Sequence, residues 1–267
     1  MDLNIICTET RLLAKEVGKF IKEERLKFSY KRVEKKGKQD FVTYVDKAAE
    51  EKLVQGLKKI LPQAGFITEE GTETKLEDNY NWIIDPLDGT TNYIHNSPPF
   101  AISIALNEKD ETVLGVVYEI TKDECFYSWK GADAYLDNNK INVSEINTVS
   151  GSLLATGFPY DNFTRLKPFM KTLNYFFLNT HGVRRLGSAA TDLAYVACGR
   201  YDGFYEYNLK PWDLAAGAFL VQQAGGKVSD FGGGKNYLHG KEVVAANALN
   251  FEEFQKKVFE IMGSLYE

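Results

Sequence analysis

The run Trp82-Ile-Ile-Asp-Pro-Leu-Asp-Gly-Thr-Thr-Asn-Tyr93 restricts this chain more than any other stretch. Trp82, Ile83 and Ile84 read as a buried strand ending at Asp85; Pro86 then bends the chain, and Asp88 returns three residues later, ahead of Gly89-Thr90-Thr91. Two carboxylates placed in this way face one small space and suit hard divalent cations. Gly89 and Thr90 next offer backbone N–H groups. A short helix starting there would turn unpaired amides and its dipole toward an anion such as phosphate. An Asp-x-x-Asp by itself is equally a turn with solvated caps, so the reading rests on the whole run.

At 267 residues and 44% apolar content the chain can bury a large core, as one domain or two intimate halves, and we divide it at 1–148 and 149–267. A formal charge of −5 argues against general nucleic-acid binding, and the basic run from Lys31 to Lys38 reads as a solvated loop. Cys7, Cys125 and Cys198 are odd in number and widely spaced, which suggests neither a disulfide framework nor a zinc cluster. No apolar segment approaches the ~20 residues needed to span a bilayer, and the N-terminus lacks a leader pattern. The expectation is a cytoplasmic protein with no membrane attachment.

Apolar residues at helical spacing predict an amphipathic helix from Asp2, its cap, to about Lys27. A second helix follows Asp40-Phe-Val-Thr43 and presents Val45, Ala49, Leu53, Leu57 and Ile60 on one face until Pro62. Asp46 lies in its first turn, where an acid is favoured by the helix dipole whether or not it serves a site. Gly65-Phe-Ile-Thr68 reads as a strand running into Glu69-Glu70, a surface pair in isolation but a possible completion of a metal shell beside Asp85 and Asp88. Phe100–Asn107, Thr112–Ile120, Glu124–Trp129 and Ala134–Ile141 predict an antiparallel meander. From Leu153 onward strands and helices alternate, an α/β rhythm. Gly187-Ser188 precedes a helix at Ala189, so Ser188 reads first as a cap. Pro211 opens a further helix with Asp213 in its first turn, Gly232-Gly-Gly234 reads as a flexible loop, and Asn250 as the cap of a last helix.

Asp-Pro-Leu-Asp-Gly-Thr-Thr-Asn-Tyr after a buried strand resembles the signature of the inositol monophosphatase family, magnesium-dependent and lithium-sensitive phosphatases. Leu209-Lys-Pro-Trp-Asp-Leu-Ala-Ala-Gly217 resembles that family's second element, and the likeness covers nearly the whole chain. It implies a fold of mixed α+β and α/β character, a five-layer αβαβα sandwich, as a homodimer. It also implies two or three magnesium ions: Glu69, Asp85 and the Leu87 carbonyl at one, Asp85, Asp88 and Asp213 at a second, and a weaker third sharing Glu69. Thr90, hydrogen-bonded to Asp46, would orient the attacking water, with Gly89 and Thr90 against the phosphate and Glu70 and Lys35 in support. Glu206, Gly187, Ser188 and Ala189 would meet the alcohol part of a small phosphate ester.

The implied reaction is direct hydrolysis of inositol 1-phosphate to inositol and phosphate. No activated Ser, Cys or His nucleophile, P-loop or Rossmann fingerprint is visible. Asn208-Leu-Lys-Pro211 departs from the glycine-and-histidine version of animal enzymes, which leaves broader sugar phosphates open. A fructose-1,6-bisphosphatase is the alternative, with Lys210 or Arg185 for a second phosphate. An alternative of another class is a binding partner of the transcription machinery with residual phosphatase activity.

Overall fold

A computed structural model describes residues 1–27, 33–35, 41–160 and 162–263. In chain order these form α1 (Leu3–Leu26), β1 (Val33–Lys35), β2 (Phe41–Thr43), α2 (Tyr44–Ile60), β3 (Gly65–Thr68), β4 (Tyr80–Asp88) and α3 (Thr90–His95). Then come β5 (Ala101–Glu108), β6 (Glu111–Glu119), β7 (Glu124–Trp129), β8 (Ala134–Leu136), β9 (Asn139–Ile141), β10 (Leu153–Thr156) and α4 (Leu166–Asn179). The chain closes with β11 (Gly182–Arg184), α5 (Ala189–Ala197), β12 (Gly203–Tyr207), α6 (Pro211–Gln223), β13 (Lys227–Ser229), α7 (Tyr237–Gly240), β14 (Glu242–Ala246) and α8 (Phe251–Met262).

Five layers follow from which side of each strand is apolar. The larger sheet runs β3-β4-β5-β6-β7-β8-β9, antiparallel except for the parallel β3–β4 pair. Successive strand residues point to opposite faces. Trp82 and Ile84 therefore join Ile102 and Ile104 under α1 and α2, while Ile83, Ala101 and Ala105 face α5 and α6. The second sheet runs β11-β10-β12-β14-β13. Its Ala155, Phe204 and Val243 meet α5 and α6 from the other side, and its Leu154, Tyr205 and Val244 pack outward on Phe169 and Phe176 of α4 and Phe254 of α8. The order α, β, α, β, α is the implied sandwich. In α6 every residue from Leu214 to Val221 is buried, as a helix between two sheets requires.

The local expectations hold closely, with four differences. Ala134–Ile141, which the sequence parts at Asn138-Asn139, is two strands, β8 and β9, with the turn one residue earlier, because Asp137 and Asn138 take left-handed φ of 47° and 75° and close a two-residue hairpin. Asn250 stands at the cap position of α8, but its Nδ2 donates to Ser152 Oγ at 2.8 Å and its side chain makes no capping bond. The Gly232–Gly234 loop is closed on Asp230, whose Oδ1 accepts the Gly234 N–H at 2.7 Å. Finally, β4 continues past Asp85 to Asp88 through a register shift against β5, where the sequence suggests a strand end.

Candidate active site

The β4 irregularity determines the site. Between Asp85, paired with Ser103, and Asp88, paired with Ala101, the strand advances irregularly, and Asp85 Oδ1 accepts the Leu87 N–H at 2.9 Å. Gly89 then turns the chain with φ of 94°, a left-handed conformation that favours glycine, and a Cβ there would lie 3.2 Å from the carbonyls of Gly187 and Pro99. α3 begins at Thr90. Its Asn92 donates to Pro99 O at 2.7 Å and to Leu186 O at 2.8 Å, fastening the turn to the loop ahead of α5.

Two other elements bring acids to the same place. Asp213 lies in the first turn of α6, where it accepts the Lys210 N–H at 2.6 Å. Carboxylate oxygens of Asp85, Asp88 and Asp213 lie within 4.8 Å of one another. Glu69, just beyond β3, shares a hydrogen bond with Asp85. Burial, then the neighbouring charges of Glu69, Asp88 and Asp213, push the Asp85 carboxyl well above the usual range. Burial raises Asp88 to about 6, against the hydrogen bonds it accepts from Ser188 Oγ at 2.6 Å and Ala190 N at 2.7 Å. Such crowding is unfavourable for the protein alone and is relieved by a hard cation bound through oxygen, so the donor set fits magnesium.

Thr90 and Asp46 meet as expected. Asp46 closes the capping box of α2 by accepting the Thr43 N–H at 2.9 Å on Oδ2, which leaves Oδ1 for the Thr90 hydroxyl at 2.9 Å. Burial raises the Asp46 carboxyl, offset by its bonds to Thr43 and Thr90. Leu87 O lies 3.1 Å from the same hydroxyl. Gly89, Thr90 and Leu87 border a cavity of about 270 Å3, with Gly187, Ser188, Ala189 and Glu206 across it. Ser188 is the cap of α5 that the sequence suggests, accepting the Thr191 N–H, and it lines the cavity while its hydroxyl donates to Asp88. Glu206, on β12, is 5% exposed and occupies the space a side chain at Gly157 would fill, since a Cβ there would lie 2.0 Å from both carboxylate oxygens. Burial, then the Asp213 charge, pushes Glu206 well up, against the pull of Arg185. Lys35 ends β1, and its side chain lies outside the described residues, as do Lys36 and Lys38.

Arg185, which the sequence offers only for a second phosphate, has a structural place in the site, and Asp192 and Glu50 escape sequence reasoning altogether. Arg185 places its Nη2 2.9 Å from Tyr160 Oη and its guanidinium 5.1 Å from the centre of the Phe158 ring, making one wall of the cavity. Asp192 of α5 is buried, its carboxyl pushed well up by burial and by Glu206 and Asp88, against the pull of Arg185. Glu50, one turn after Asp46 on α2, accepts the N–H groups of Glu70 and Thr72. Its signal was a carboxylate beside the buried Ala49–Leu53 stripe.

The chain is similar over its folded length to proteins already described. The Nus factor SuhB of Escherichia coli (strain K12) is 46% identical over 213 residues, 79% of this chain and 80% of that protein. The crystal structure of extragenic suppressor protein suhB from Bartonella henselae superposes with a TM-score of 0.90 at 35% identity, covering 94% of this chain and 97% of that one. The inositol monophosphatase from Anabaena (Nostoc) sp. PCC 7120 gives 0.87 at 33% identity, with 98% of each chain covered. The model of the inositol monophosphatase family matches residues 4–262, and this chain belongs to that family of phosphatases.

Proposed function

We propose that this protein is a magnesium-dependent phosphomonoesterase that hydrolyses inositol 1-phosphate to inositol and phosphate, and that its activity is sensitive to lithium. The observation that carries the reading is the convergence of Asp85, Asp88 and Asp213 beside the Thr90–Asp46 pair, with Glu206 across the same cavity. Glu69, Asp85, Asp88, Asp213 and the Leu87 carbonyl would hold two or three magnesium ions. When bound, magnesium neutralises the phosphate charge and lowers the pKa of the attacking water. The chain does the rest. Asp46 Oδ1 takes the Thr90 hydroxyl proton as a hydrogen bond, which leaves the Thr90 oxygen free to accept from a water and relay its proton toward Asp46. Gly89 and Thr90 N–H groups face the phosphate. Glu206, flanked by Gly187 and Ala189, accepts from ring hydroxyls, and Glu70 holds its neighbour Glu69 in place through the backbone.

Phosphate release measured on inositol 1-phosphate, sugar phosphates, fructose 1,6-bisphosphate and an aryl phosphate, with and without magnesium, tests the reading. Inositol 1-phosphate should be turned over fastest. Glu206→Gln should cost it about 1.5–3 kcal/mol in kcat/KM and leave the aryl ester, which lacks ring hydroxyls, nearly unchanged. Preference for the bisphosphate would move the assignment to the fructose-1,6-bisphosphatase alternative, with Arg185 and Lys210 on the second phosphate. Lithium should inhibit, and turnover unchanged across a lithium titration would remove that part of the reading.

A second reading is favoured by the Nus factor name of the 46% identical relatives: binding to the transcription machinery. Co-migration of the full chain with purified RNA polymerase would support it, and Asp88→Asn would show whether that binding needs catalysis. We further infer a cytoplasmic homodimer. Free Cys7, Cys125 and Cys198 suit a reducing compartment, and Phe177 and Leu178 of α4, 70% and 67% exposed, supply an apolar face for a second copy. Light scattering reads the mass. Among the described residues no helix is long and apolar enough to cross a membrane.

A further inference from the structure

Glu50 stands out as a carboxylate in the core. It lies on α2 one turn beyond Asp46, is fully buried beside Ala49 and Leu53, and takes no part in the reaction described above. Three donors converge on its two oxygens. Oε2 accepts the Glu70 N–H at 2.8 Å, and Oε1 accepts both the Thr72 N–H at 2.9 Å and the Thr72 hydroxyl at 2.8 Å. The turn so gripped begins at the end of β3, where the Glu69 N–H still reaches the Ile84 carbonyl of β4 at 3.3 Å, and passes through Gly71 with φ of 71°.

The consequence for Glu69 is specific. The peptide N–H before its Cα is tied to β4 and the one after it to Glu50, so its backbone is fixed from two elements at once, and its side chain is directed at Asp85. The turn has no apolar anchor of its own: Glu70 and Gly71 are followed by Thr72, Glu73 and Thr74. Released from Glu50, it would keep the β3 tie and the bonds that reach Glu73 from Thr68 and Lys58, and lose the grip on residues 70 to 72, the ones that adjoin Glu69. α2 thus sets both sides of the site, Thr90 through Asp46 and Glu69 through Glu50.

We infer that Glu50 is a positioning residue that pre-forms the Glu69 side of the magnesium site, an inference that rests on the magnesium reading above. A glutamine at 50 keeps the shape but offers one acceptor oxygen and an NH2 group, so one backbone N–H would face another donor. Groups that orient metal ligands change affinity by about 10–100-fold when altered.

The test is calorimetric titration of magnesium alone into the full chain, with hydrogen exchange of the residue 70 and 72 amides in chelator. Glu50→Gln should bind magnesium at least tenfold more weakly, exchange faster at those two amides, and recover most turnover when magnesium is raised. If that variant does not fold, Thr72→Val, which removes only the hydroxyl donor, should weaken magnesium in the same direction by a smaller factor. A folded Glu50→Gln, or failing that a Thr72→Val, with the magnesium affinity of the natural chain overturns the inference. A natural chain that binds no magnesium overturns the phosphatase reading itself and this inference with it.

Discussion

Asp88 is a residue under opposed demands. Its carboxyl sits at about 6 in the folded chain against an ordinary 3.8, so its contribution to stability is complete below 3.8 and is lost as pH rises through about 6. Asp85 and Glu206, both pushed well up, have the same sign and extend the window upward. The metal-free protein is therefore expected to lose thermal stability between about pH 4 and pH 7, and magnesium should restore it at the upper end. Asp88→Asn should abolish most turnover yet melt higher than the natural chain in chelator at about pH 7. Removing the buried charge is favourable and the weakened bonds from Ser188 and Ala190 offset part of it, so the expected change is a rise in melting point. Scanning calorimetry in chelator decides it, since a lower melting point would contradict the crowding of the site. Gly157 invites a second change. Alanine there puts a methyl where the Glu206 carboxylate lies, so Gly157→Ala should reproduce the substrate selectivity of Glu206→Gln in a folded protein, read as the ratio of inositol 1-phosphate to aryl phosphate turnover.

At the level of elements, α2 supports the site from two of its residues, Asp46 and Glu50. Its capping box spends one Asp46 oxygen on Thr43 and aims the other at Thr90, so helix start and proton relay are one arrangement. Thr90→Val should lower kcat by about 10²–10³-fold while Thr90→Ser keeps most of it, because only the hydroxyl is used. Equal losses in the two variants would assign Thr90 to packing instead. Elements of this kind were well marked in the sequence: the cap of α1, Asp46 in the first turn of α2, the β4 run into Asp85 and Asp88, and Asp213 after Pro211 all follow from local spacing. What escaped was the support between distant segments. Ser188 and Ala190 hold Asp88 from a hundred residues away, Asn92 reaches Leu186, and Arg185 meets Tyr160. Such bonds depend on how two sheets and their helices are stacked, which periodicity along one chain does not encode. Glu50 left a trace, since an acid beside a helix's apolar stripe must find donors in the core, but nothing local says that they belong to the Glu69 turn.

For the whole molecule, the five layers share their middle one. The larger sheet is built from residues 65–141 and the smaller from 153–246, yet both bury apolar side chains on α5 and α6, and the cavity draws Asp85 and Asp88 from the first and Glu206 from the second. Calorimetric unfolding should therefore show one transition, with equal van't Hoff and calorimetric enthalpies for the monomeric unit; two resolved transitions would mean that the halves are independent. The all-round burial of α6 carries a consequence for biosynthesis. A chain emerging from the ribosome completes its seven-stranded sheet before α5 and α6 exist, so Ile83, Ala105 and Val117 have no cover until some eighty further residues have followed. During that interval the nascent protein presents a broad apolar sheet face, the kind of surface that holding chaperones recognise. The Asp85–Asp88 bend waits on that same face, with Glu69, Asp85 and Asp88 already made and Asp213 not yet translated.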